Sequence, residues 1–392
     1  MLNYESILND TITEIQPSGI RKFFDIAATM SDVISLGVGE PDFPTPWKIR
    51  SAAIKTLERG KTRYSSNRGL AELRKEISSY LSRKYELNYE PESEILVTVG
   101  GSEAIDAALR SIINPGDEVI IPQPSYVCYV PMVMMAGGVP VIIENKAEND
   151  FKLPASDLKN KITDKTKAVV LPYPSNPTGA IMERADYEAM EELVKDTGII
   201  LISDEIYSEL TFNGKKHVSP AAVGSLKERT VVINGFSKAF SMTGWRLGYT
   251  CGPKEIISQI TKLHQYSIMC APTVSQYAAV TAMRDCDAEV EAMIEEYDTR
   301  RKLMVKGFND IGLECREPEG AFYAFPSIKS TGLTGAEFCE RLLESQKVAI
   351  VPGTAFGESG EGYVRASYCY STDHIRTAID RIGKFMDELK SL

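Results

Sequence analysis

The sequence predicts an α/β protein. A large domain with a mostly parallel sheet flanked by helices is joined to a smaller α+β domain built from both chain ends. Between residues 49 and 286, short and continuously apolar segments alternate with amphipathic helical segments, which is typical of parallel strands buried on both faces. After residue 286 the pattern changes to long charged helices separated by single strands. We therefore expect a large domain at residues 49–286, a small domain at 287–392, and an N-terminal arm at 1–48 that joins the small domain.

The predicted elements follow from local periodicity and from the residues that end each segment. The helix predicted at 103–113 carries apolar side chains on one face and stops at Asn114-Pro115-Gly116. The other helices are predicted at 49–59, 70–85, 184–197, 289–311, 335–346 and 373–389. Strands are predicted at 94–99, 118–121, 139–143, 168–171, 199–202, 231–233, 321–325 and 348–350. The segment before residue 48 shows no sheet partner of its own in this pattern.

Composition excludes several classes of protein. Of 392 residues, 43% are apolar and 25% are charged, which excludes disordered and collagen-like chains. The net charge of −10 disfavours nucleic-acid binding. Seven cysteines without a C-x-x-C pair and three distant histidines predict free thiols and no sequence-local metal site. The N-terminus lacks a signal-peptide pattern and the longest apolar stretch, 130–143, is too short to span a bilayer, so we expect a cytoplasmic protein without membrane contact.

Polar groups follow several predicted strands, at the edge where open α/β sheets bind ligands. Gly100-Gly101-Ser102 begins a helix whose free N–H groups suit a phosphate, although a tight turn alone explains this motif better. Asn176 lies in the proline-rich loop 174–179 and is either a rigidly held amide or ordinary turn chemistry. Asp204 and Tyr207 are three residues apart and would share a face on a helical turn. A carboxylate is costly to bury unless it meets a cation, so Asp204 is a candidate for binding a cationic group. The alternative is that Asp204 is the N-cap of a helix.

Lys238 lies between Phe236 and Phe240, just past a predicted buried strand. Most lysines are solvated, but desolvation would lower the pKa of this amine and make it nucleophilic, as Schiff-base chemistry requires. Arg246 is eight residues further on and is suited to pairing with a phosphate. A phosphorylated pyridine aldehyde needs this set of groups. The lysine binds the aldehyde, the acid keeps the ring nitrogen protonated, and the phenol and amide bind the ring hydroxyl.

Longer motifs connect these positions. Residues 235–248 read GFSKAFSMTGWRLG, and further segments read SLGVGEPD at 35–42, NPTG at 176–179, GAFY at 320–323 and RASY at 365–368. On these segments, which extend from about residue 34 to 368, the sequence resembles the pyridoxal-phosphate-dependent aminotransferases of fold type I, class I/II, in the aspartate aminotransferase superfamily. Residues 235–248 match that family's pyridoxal-attachment signature at every constrained position.

The resemblance implies a role for each matching residue toward the cofactor, pyridoxal 5′-phosphate. Lys238 would form the Schiff base with the cofactor and then move a proton between the substrate Cα and the cofactor C4′. Asp204 would face the pyridine nitrogen. Asn176 and Tyr207 would bond the ring oxygen, and Tyr126 would stack on the ring.

The resemblance also implies contacts to the phosphate and the substrate. The phosphate would be held by Gly101, Ser102, Ser237, Arg246 and, from the neighbouring subunit, Tyr64. The last contact would make the active unit a homodimer. Arg365 would clamp the substrate α-carboxylate with a bidentate pair, helped by Asn176 and the Gly39 backbone. Well-known members carry a phosphate-binding serine three residues before the lysine. That position is Gly235 here, so we expect Ser237 to supply the hydroxyl instead.

The function that the resemblance implies is transamination between an L-amino acid and a 2-oxoacid, with 2-oxoglutarate the expected acceptor. Aspartate and aromatic amino acids are favoured as donors; alanine and an N-acylated diaminopimelate stay open, because arm residues such as Ile20 and Arg21 and loops of the partner subunit would contact the side chain. A C–S β-lyase or another elimination enzyme on the same fold is the alternative activity. A non-catalytic binding module is disfavoured by Lys238. A nicotinamide enzyme or P-loop enzyme is disfavoured because neither glycine-rich fingerprint occurs.

Overall fold

The computed structural model describes residues 2, 5–17, 19, 30 and 32–391. Ile20 and Arg21 lie outside these residues. The α-helices in the described part are α1 (Asp10–Glu14), α2 (Trp47–Glu58), α3 (Ala71–Tyr85), α4 (Gly100–Ile112), α5 (Tyr129–Met135), α6 (Ala155–Lys161), α7 (Arg184–Val194), α8 (Lys254–Ser267), α9 (Thr273–Asp285), α10 (Asp287–Asp310), α11 (Gly335–Gln346) and α12 (Thr372–Lys390).

The strands form three sheets, one large and two small. They are β1 (Ile34–Ser35), β2 (Ile95–Thr98), β3 (Glu118–Gln123), β4 (Val139–Glu144), β5 (Thr166–Leu171), β6 (Ile200–Asp204), β7 (Thr230–Gly235), β8 (Gly248–Cys251), β9 (Tyr323–Ala324), β10 (Val348–Ala349), β11 (Val351–Pro352) and β12 (Val364–Ser367). The large sheet has the order β2-β8-β7-β6-β5-β3-β4. All its neighbours pair in parallel except β8, which is antiparallel to β2 and β7.

Helices cover both faces of the large sheet, as the continuous apolar strands predict. Successive residues of β5 alternate between the two faces: Ala168 and Val170 pack in one apolar cluster, and Val169 and Leu171 in another. The first cluster contains side chains from α4, α5 and α8, and the second contains side chains from α6 and α7. Because apolar surface is buried on both sides, the strands need no polar face.

The C-terminal part contains the antiparallel sheet β11-β12-β9, with α10, α11 and α12 packed nearby. The prediction that the N-terminal segment has no sheet partner is wrong. Residues Ile34 and Ser35 pair in parallel with Val348 and Ala349, and the Ser367 amide donates to the Leu36 carbonyl. A two-residue strand is too short to show a period of two, so only the pairing identifies it.

Further differences concern elements that the periodicity did not indicate. The antiparallel strand β8 and the helices α8 and α9 were not predicted, and the start of the apolar stretch 130–143 is the helix α5. Pro131 falls in the first turn of α5, where its missing N–H has no intrahelical partner to lose. Among the described residues, none of the helices has both the length and the apolar character needed to cross a membrane.

Candidate active site

A cavity of about 520 Å³ lies at the carboxyl end of the large sheet. Residues directly after β2, β3, β5, β6 and β7 line it, because these strands run in the same direction and end at the same edge. The remaining walls come from residues 37–39, Tyr323 and Arg365, outside the large sheet. All but one of the sequence-predicted site residues line this cavity: Gly39, Gly101, Ser102, Tyr126, Asn176, Asp204, Tyr207, Ser237, Lys238, Arg246 and Arg365.

Tyr64 is the exception. Its side chain is 78% exposed and lines a separate depression with Cys270 and neighbouring residues. The expected contact from Tyr64 is to a neighbouring subunit, so its position outside the cavity of its own chain leaves that prediction untested.

Lys238 lies in the turn after β7, where the chain leaves the buried strand for the cavity. Its Nζ donates to the carbonyl oxygen of Gly39, 2.7 Å away, and lies 5.6 Å from the centre of the Phe322 ring. Burial lowers the pKa of this amine to about 8, since desolvation of the ammonium outweighs the opposing effect of the Glu40 charge. A substantial fraction of Lys238 is therefore a neutral, nucleophilic amine near pH 8.

Asp204 is the last residue of β6 and is only 7% exposed. Its Oδ2 accepts a hydrogen bond from the Tyr129 hydroxyl at 2.7 Å, and its Oδ1 accepts one from the Ile206 amide at 3.2 Å. Burial raises the pKa of this carboxyl to about 6 despite both bonds. Among the described residues, Asp204 forms no salt bridge. The site thus holds a buried acid that lacks a cationic partner.

The sequence prediction assumed that Asp204 and Tyr207 share a helical face. In the structure they do not. Residues 206–209 form a turn just after the strand, so Asp204 reaches the cavity from the strand end and Tyr207 from the turn. The Tyr207 hydroxyl lies 2.8 Å from the Tyr323 hydroxyl, with either oxygen able to donate. The Glu205 amide still donates to the Ile233 carbonyl of the neighbouring strand, and the bonds that follow, from the Ser208 amide to the Glu205 carbonyl and from the Leu210 amide to the Tyr207 carbonyl, are those of turns.

Arg365 lies on β12 and is 3% exposed. Its Nη1 donates to Asn176 Oδ1 at 3.0 Å and its Nη2 donates to the Gly37 carbonyl, while its Nε is buried without a hydrogen-bond partner. A guanidinium carries five N–H donors, so several remain available to a carboxylate. Tyr323 and Phe356 stack against it.

The start of α4 forms a cradle for an anion. Gly100 is the first residue of this 13-residue helix, whose first N–H groups have no intrahelical acceptor. A Cβ on Gly100 would lie 2.9 Å from Nη2 of Arg246, so the guanidinium rests directly on the glycine backbone. On the other side, a Cβ on Gly248 would lie 2.6 Å from the carbonyl carbon of Gly100. Only glycines permit this close approach of cation, strand and helix start.

Gly235, the departure from the family pattern, has a steric explanation. A Cβ at this position would lie 3.1 Å from the Gly248 Cα, from the Leu247 carbonyl oxygen and from Ile206. A serine would therefore have to displace β8 or the turn after β6. Ser237, two residues later, lines the cavity.

The residues present fit pyridoxal 5′-phosphate, the cofactor that the resemblance implies. The helix-start cradle with Arg246 matches a dianionic phosphate, and the unpaired buried Asp204 matches a cationic ring nitrogen. The desolvated amine of Lys238 matches an aldehyde. No cluster of metal-ligating side chains occurs among residues that the structure describes.

Sequence reasoning missed three residues that contact this set. Tyr129 bonds Asp204, and Tyr323 and Phe356 contact Arg365. Tyr129 sits in an apolar run that indicated only core. Tyr323 and Phe356 belong to segments that match the family pattern but suggested no chemistry of their own.

Comparisons with known proteins agree with this geometry. The family model for aminotransferase class I and II matches residues 31–382. YugH of Bacillus subtilis (strain 168), named as an aminotransferase with no stated substrate, is 50% identical over 381 residues, which are 97% of this chain and 98% of YugH. An aspartate aminotransferase of Pyrococcus abyssi is 45% identical over 385 residues, 98% of this chain and 99% of that protein. The structure of an aromatic aminotransferase from Pyrococcus horikoshii OT3 matches with a TM-score of 0.91 at 41% identity and covers 95% of this chain and all of that one (100%).

Proposed function

Because this chain belongs to the class I and II aminotransferases, whose members use pyridoxal 5′-phosphate and act on amino acids and 2-oxoacids, we propose that it transfers an amino group at the cavity described above. The chain is an aminotransferase. The observation that carries the assignment of this cavity is the convergence of a desolvated amine, an unpaired buried acid and a buried guanidinium around one space of about 520 Å³. Each of the three is unfavourable to bury alone and finds its counterpart in the cofactor or the substrate.

Lys238 would attach to the cofactor aldehyde and, once freed by the substrate amine, would move a proton between substrate Cα and cofactor C4′. A pKa of about 8 suits both tasks. A substantial fraction of the amine is neutral and can attack an aldehyde, and the neutral amine is basic enough to accept a proton. The Gly39 carbonyl holds Nζ at the cavity wall.

Asp204 would face the ring nitrogen and keep it protonated. When bound, the pyridinium ring supplies the electron sink that stabilises negative charge at the substrate Cα. Opposite charges in a dry site favour both ionised forms, so the ring nitrogen offsets the desolvation of the carboxylate. Asn176 and Tyr207 would donate to the ring oxygen, and Tyr126 would stack on the ring.

The phosphate is bound by the α4 start, Ser102, Ser237 and Arg246, with Tyr64 of a second copy of this chain completing the site. This last contact makes the protein a homodimer. The exposure of Tyr64 and its distance from the cavity of its own chain support this arrangement.

Arg365 grips the substrate α-carboxylate. Its burial and its fixed position against Asn176 make the guanidinium a preorganised, bidentate anchor that excludes water when the substrate binds. Because every amino acid and 2-oxoacid carries this carboxylate, one clamp serves both halves of the reaction.

Aspartate or an aromatic amino acid is the proposed donor and 2-oxoglutarate the proposed acceptor. The names of the Pyrococcus abyssi and Pyrococcus horikoshii relatives support these two donor classes. The alternative, a C–S β-lyase, has no support among the relatives named above. The test is a panel of L-amino acids with 2-oxoglutarate, with glutamate formation as the readout. Activity confined to other donors refutes the donor proposal. Pyruvate and ammonia released from a cysteine conjugate without an acceptor would establish the lyase.

The division into an arm at residues 1–48, a large cofactor-binding domain at 49–286 and a small domain at 287–392 is part of the same proposal. The pairing of residues 34 and 35 with 348 and 349 supports an arm that joins the small domain. We also propose a cytoplasmic location. All seven cysteines lie in the described part of the chain and are free, which supports a reducing compartment.

A further inference from the structure

Tyr323 contacts three of the candidate site residues at once. On the antiparallel pair β9–β12 it lies opposite Ser367, and its diagonal neighbour on the same face is Arg365. Its ring stacks on the Arg365 guanidinium, with 4.5 Å between the guanidinium carbon and the ring centre. Its hydroxyl lies 2.8 Å from the hydroxyl of Tyr207.

The Tyr323 hydroxyl also occupies the space beside Gly39. A Cβ on Gly39 would collide with that hydroxyl, so only glycine lets residue 39 stay close to it. The Gly39 carbonyl accepts from Lys238. Tyr323 therefore touches the proposed carboxylate clamp, the proposed partner of the ring oxygen, and the backbone that holds the lysine.

The ring and the hydroxyl of Tyr323 have different neighbours. The Arg365 guanidinium carbon lies over two aromatic rings, 4.5 Å from the centre of Tyr323 and 4.7 Å from the centre of Phe356. Two π faces fix the plane of the guanidinium, which a bidentate grip on a carboxylate requires. Phe356 supplies the same stacking without a hydroxyl. The chain thus offers a matched comparison for each part of Tyr323.

We propose that Tyr323 is a positioning residue with two separable parts, its ring orienting Arg365 for the substrate carboxylate and its hydroxyl polarising Tyr207 toward the cofactor ring oxygen. This inference rests on the proposed function. When Tyr207 donates to an anionic ring oxygen, its own oxygen is free to accept from Tyr323. A donor in that position strengthens the outer hydrogen bond, since hydrogen bonds in a dry site polarise one another.

Removing the hydroxyl and removing a ring should change different measurable properties. Removing the hydroxyl weakens the stabilisation of the anionic ring oxygen, so the pH midpoint of the bound cofactor's absorbance change should rise. Hydrogen-bond cooperativity of 10–30% on a charge-assisted bond corresponds to a rise of roughly 0.2–0.7 pH units. Removing the ring of Tyr323 or of Phe356 leaves the Arg365 guanidinium less firmly oriented. Binding of any α-carboxylate should then weaken roughly 3- to 30-fold, the range of a desolvated cation–π contact.

The experiment uses the cofactor-loaded enzyme and the variants Tyr323→Phe, Phe356→Leu and Tyr323→Leu. Two readouts are taken for each: the pH midpoint of cofactor absorbance, and the Kd of succinate, an unreactive carboxylate, from its effect on that absorbance. We expect Tyr323→Phe to raise the midpoint and keep the Kd, Phe356→Leu to weaken the Kd and keep the midpoint, and Tyr323→Leu to change both. Tyr173→Phe is the control, since this buried hydroxyl bonds Asn145 and does not line the cavity; both readouts should stay as in the wild type.

Two outcomes overturn the inference. One is a Tyr323→Phe midpoint within about 0.1 pH unit of the wild type; the other is a Phe356→Leu Kd within error of the wild type, or one that moves together with the midpoint. If Tyr323→Leu fails to fold, the other two variants still decide the question. A wild-type protein that binds no pyridoxal phosphate would refute the proposed function instead, so the two failures are distinguishable.

Discussion

Replacing Asp204 with asparagine should make the cofactor-free protein more stable and the enzyme nearly inactive. Asp204 is buried without a cationic partner in the described residues, and burial raises its pKa from 3.8 to about 6. Each pKa unit corresponds to about 1.4 kcal/mol, so the ionised carboxylate destabilises the cofactor-free fold by at most about 3 kcal/mol near pH 7. Asparagine keeps a partner for both existing bonds: its amide oxygen accepts from Ile206, and its amide group donates to Tyr129, whose hydroxyl can turn.

The expected gain depends on pH, and its sign follows from the two pKa values. Because the folded protein binds the Asp204 proton more tightly than the unfolded chain, ionisation lowers the free energy of unfolding as pH rises from about 4 to 6. Above pH 6 the asparagine variant should be more stable by about 1–3 kcal/mol. Below pH 4 the carboxyl is neutral in both states, and the advantage should disappear.

Urea denaturation of the cofactor-free proteins between pH 4 and 8, in buffer without phosphate, measures this difference. Asp164→Asn is the control, since Asp164 is exposed on the surface and its replacement should leave the pH profile unchanged. Saturating pyridoxal 5′-phosphate should then reverse the order of stability at pH 8, because only the wild-type carboxylate gains a cationic ring nitrogen as its partner. A stability gain that persists at pH 4, or no gain at pH 8, would refute the electrostatic reasoning. Near-normal single-turnover rates in the variant would refute the role of Asp204 in catalysis.

The remaining predictions concern the lysine, the arginine and the glycine cradle. Lys238→Ala should fold and still bind pyridoxal phosphate but lose transamination by at least roughly 10²- to 10⁴-fold; borohydride reduction of the loaded wild type should label Lys238 alone, and label on another lysine contradicts the assignment. Arg365→Lys should weaken apparent affinity for all amino acids and oxoacids alike by about tenfold to a hundredfold, the equivalent of about 1.5–3 kcal/mol of charge-assisted bonding, with unchanged cofactor absorbance; a loss confined to one substrate side chain would rule out the clamp. Gly248→Ala places a Cβ 2.6 Å from the Gly100 backbone, so it should lower the free energy of unfolding by about 1–3 kcal/mol and also lower cofactor affinity. Gly244→Ala is the control, because the new Cβ meets open space and should change neither quantity. Equal behaviour of the two variants would contradict the steric argument.

Most strands of the large sheet and several of its helices could be predicted from sequence because burial on both faces leaves a local signature. Strands such as Thr230–Gly235 are buried throughout and have a continuous apolar segment at residues 231–233, and amphipathic helices alternate with them. For the same reason the residues after each strand, Lys238 and Asp204 among them, could be selected as candidates. Parallel strands that share a direction deliver their next residues to one edge.

The short strands and the antiparallel β8 could not be predicted in this way. Strand β1 is only two residues long, and its pairing with β10 depends on residues more than 300 positions away. Such pairing leaves no local period to recognise. Element β8 is inserted between β2 and β7, an order that hydrogen bonds across the sheet decide rather than the pattern of one segment.

Residue types and motifs determined which groups we propose to carry the chemistry of this protein: one lysine, one acid, two arginines and a glycine-rich helix start. Only the tertiary structure decided their physical state. The pKa of about 8 at Lys238 and of about 6 at Asp204 arise from surrounding atoms that remove water, and these atoms come from distant parts of the chain. Tyr129 and Tyr323 belong to the site for the same reason, since a side chain buried beside a functional group is identified by proximity in space and not by its position along the sequence.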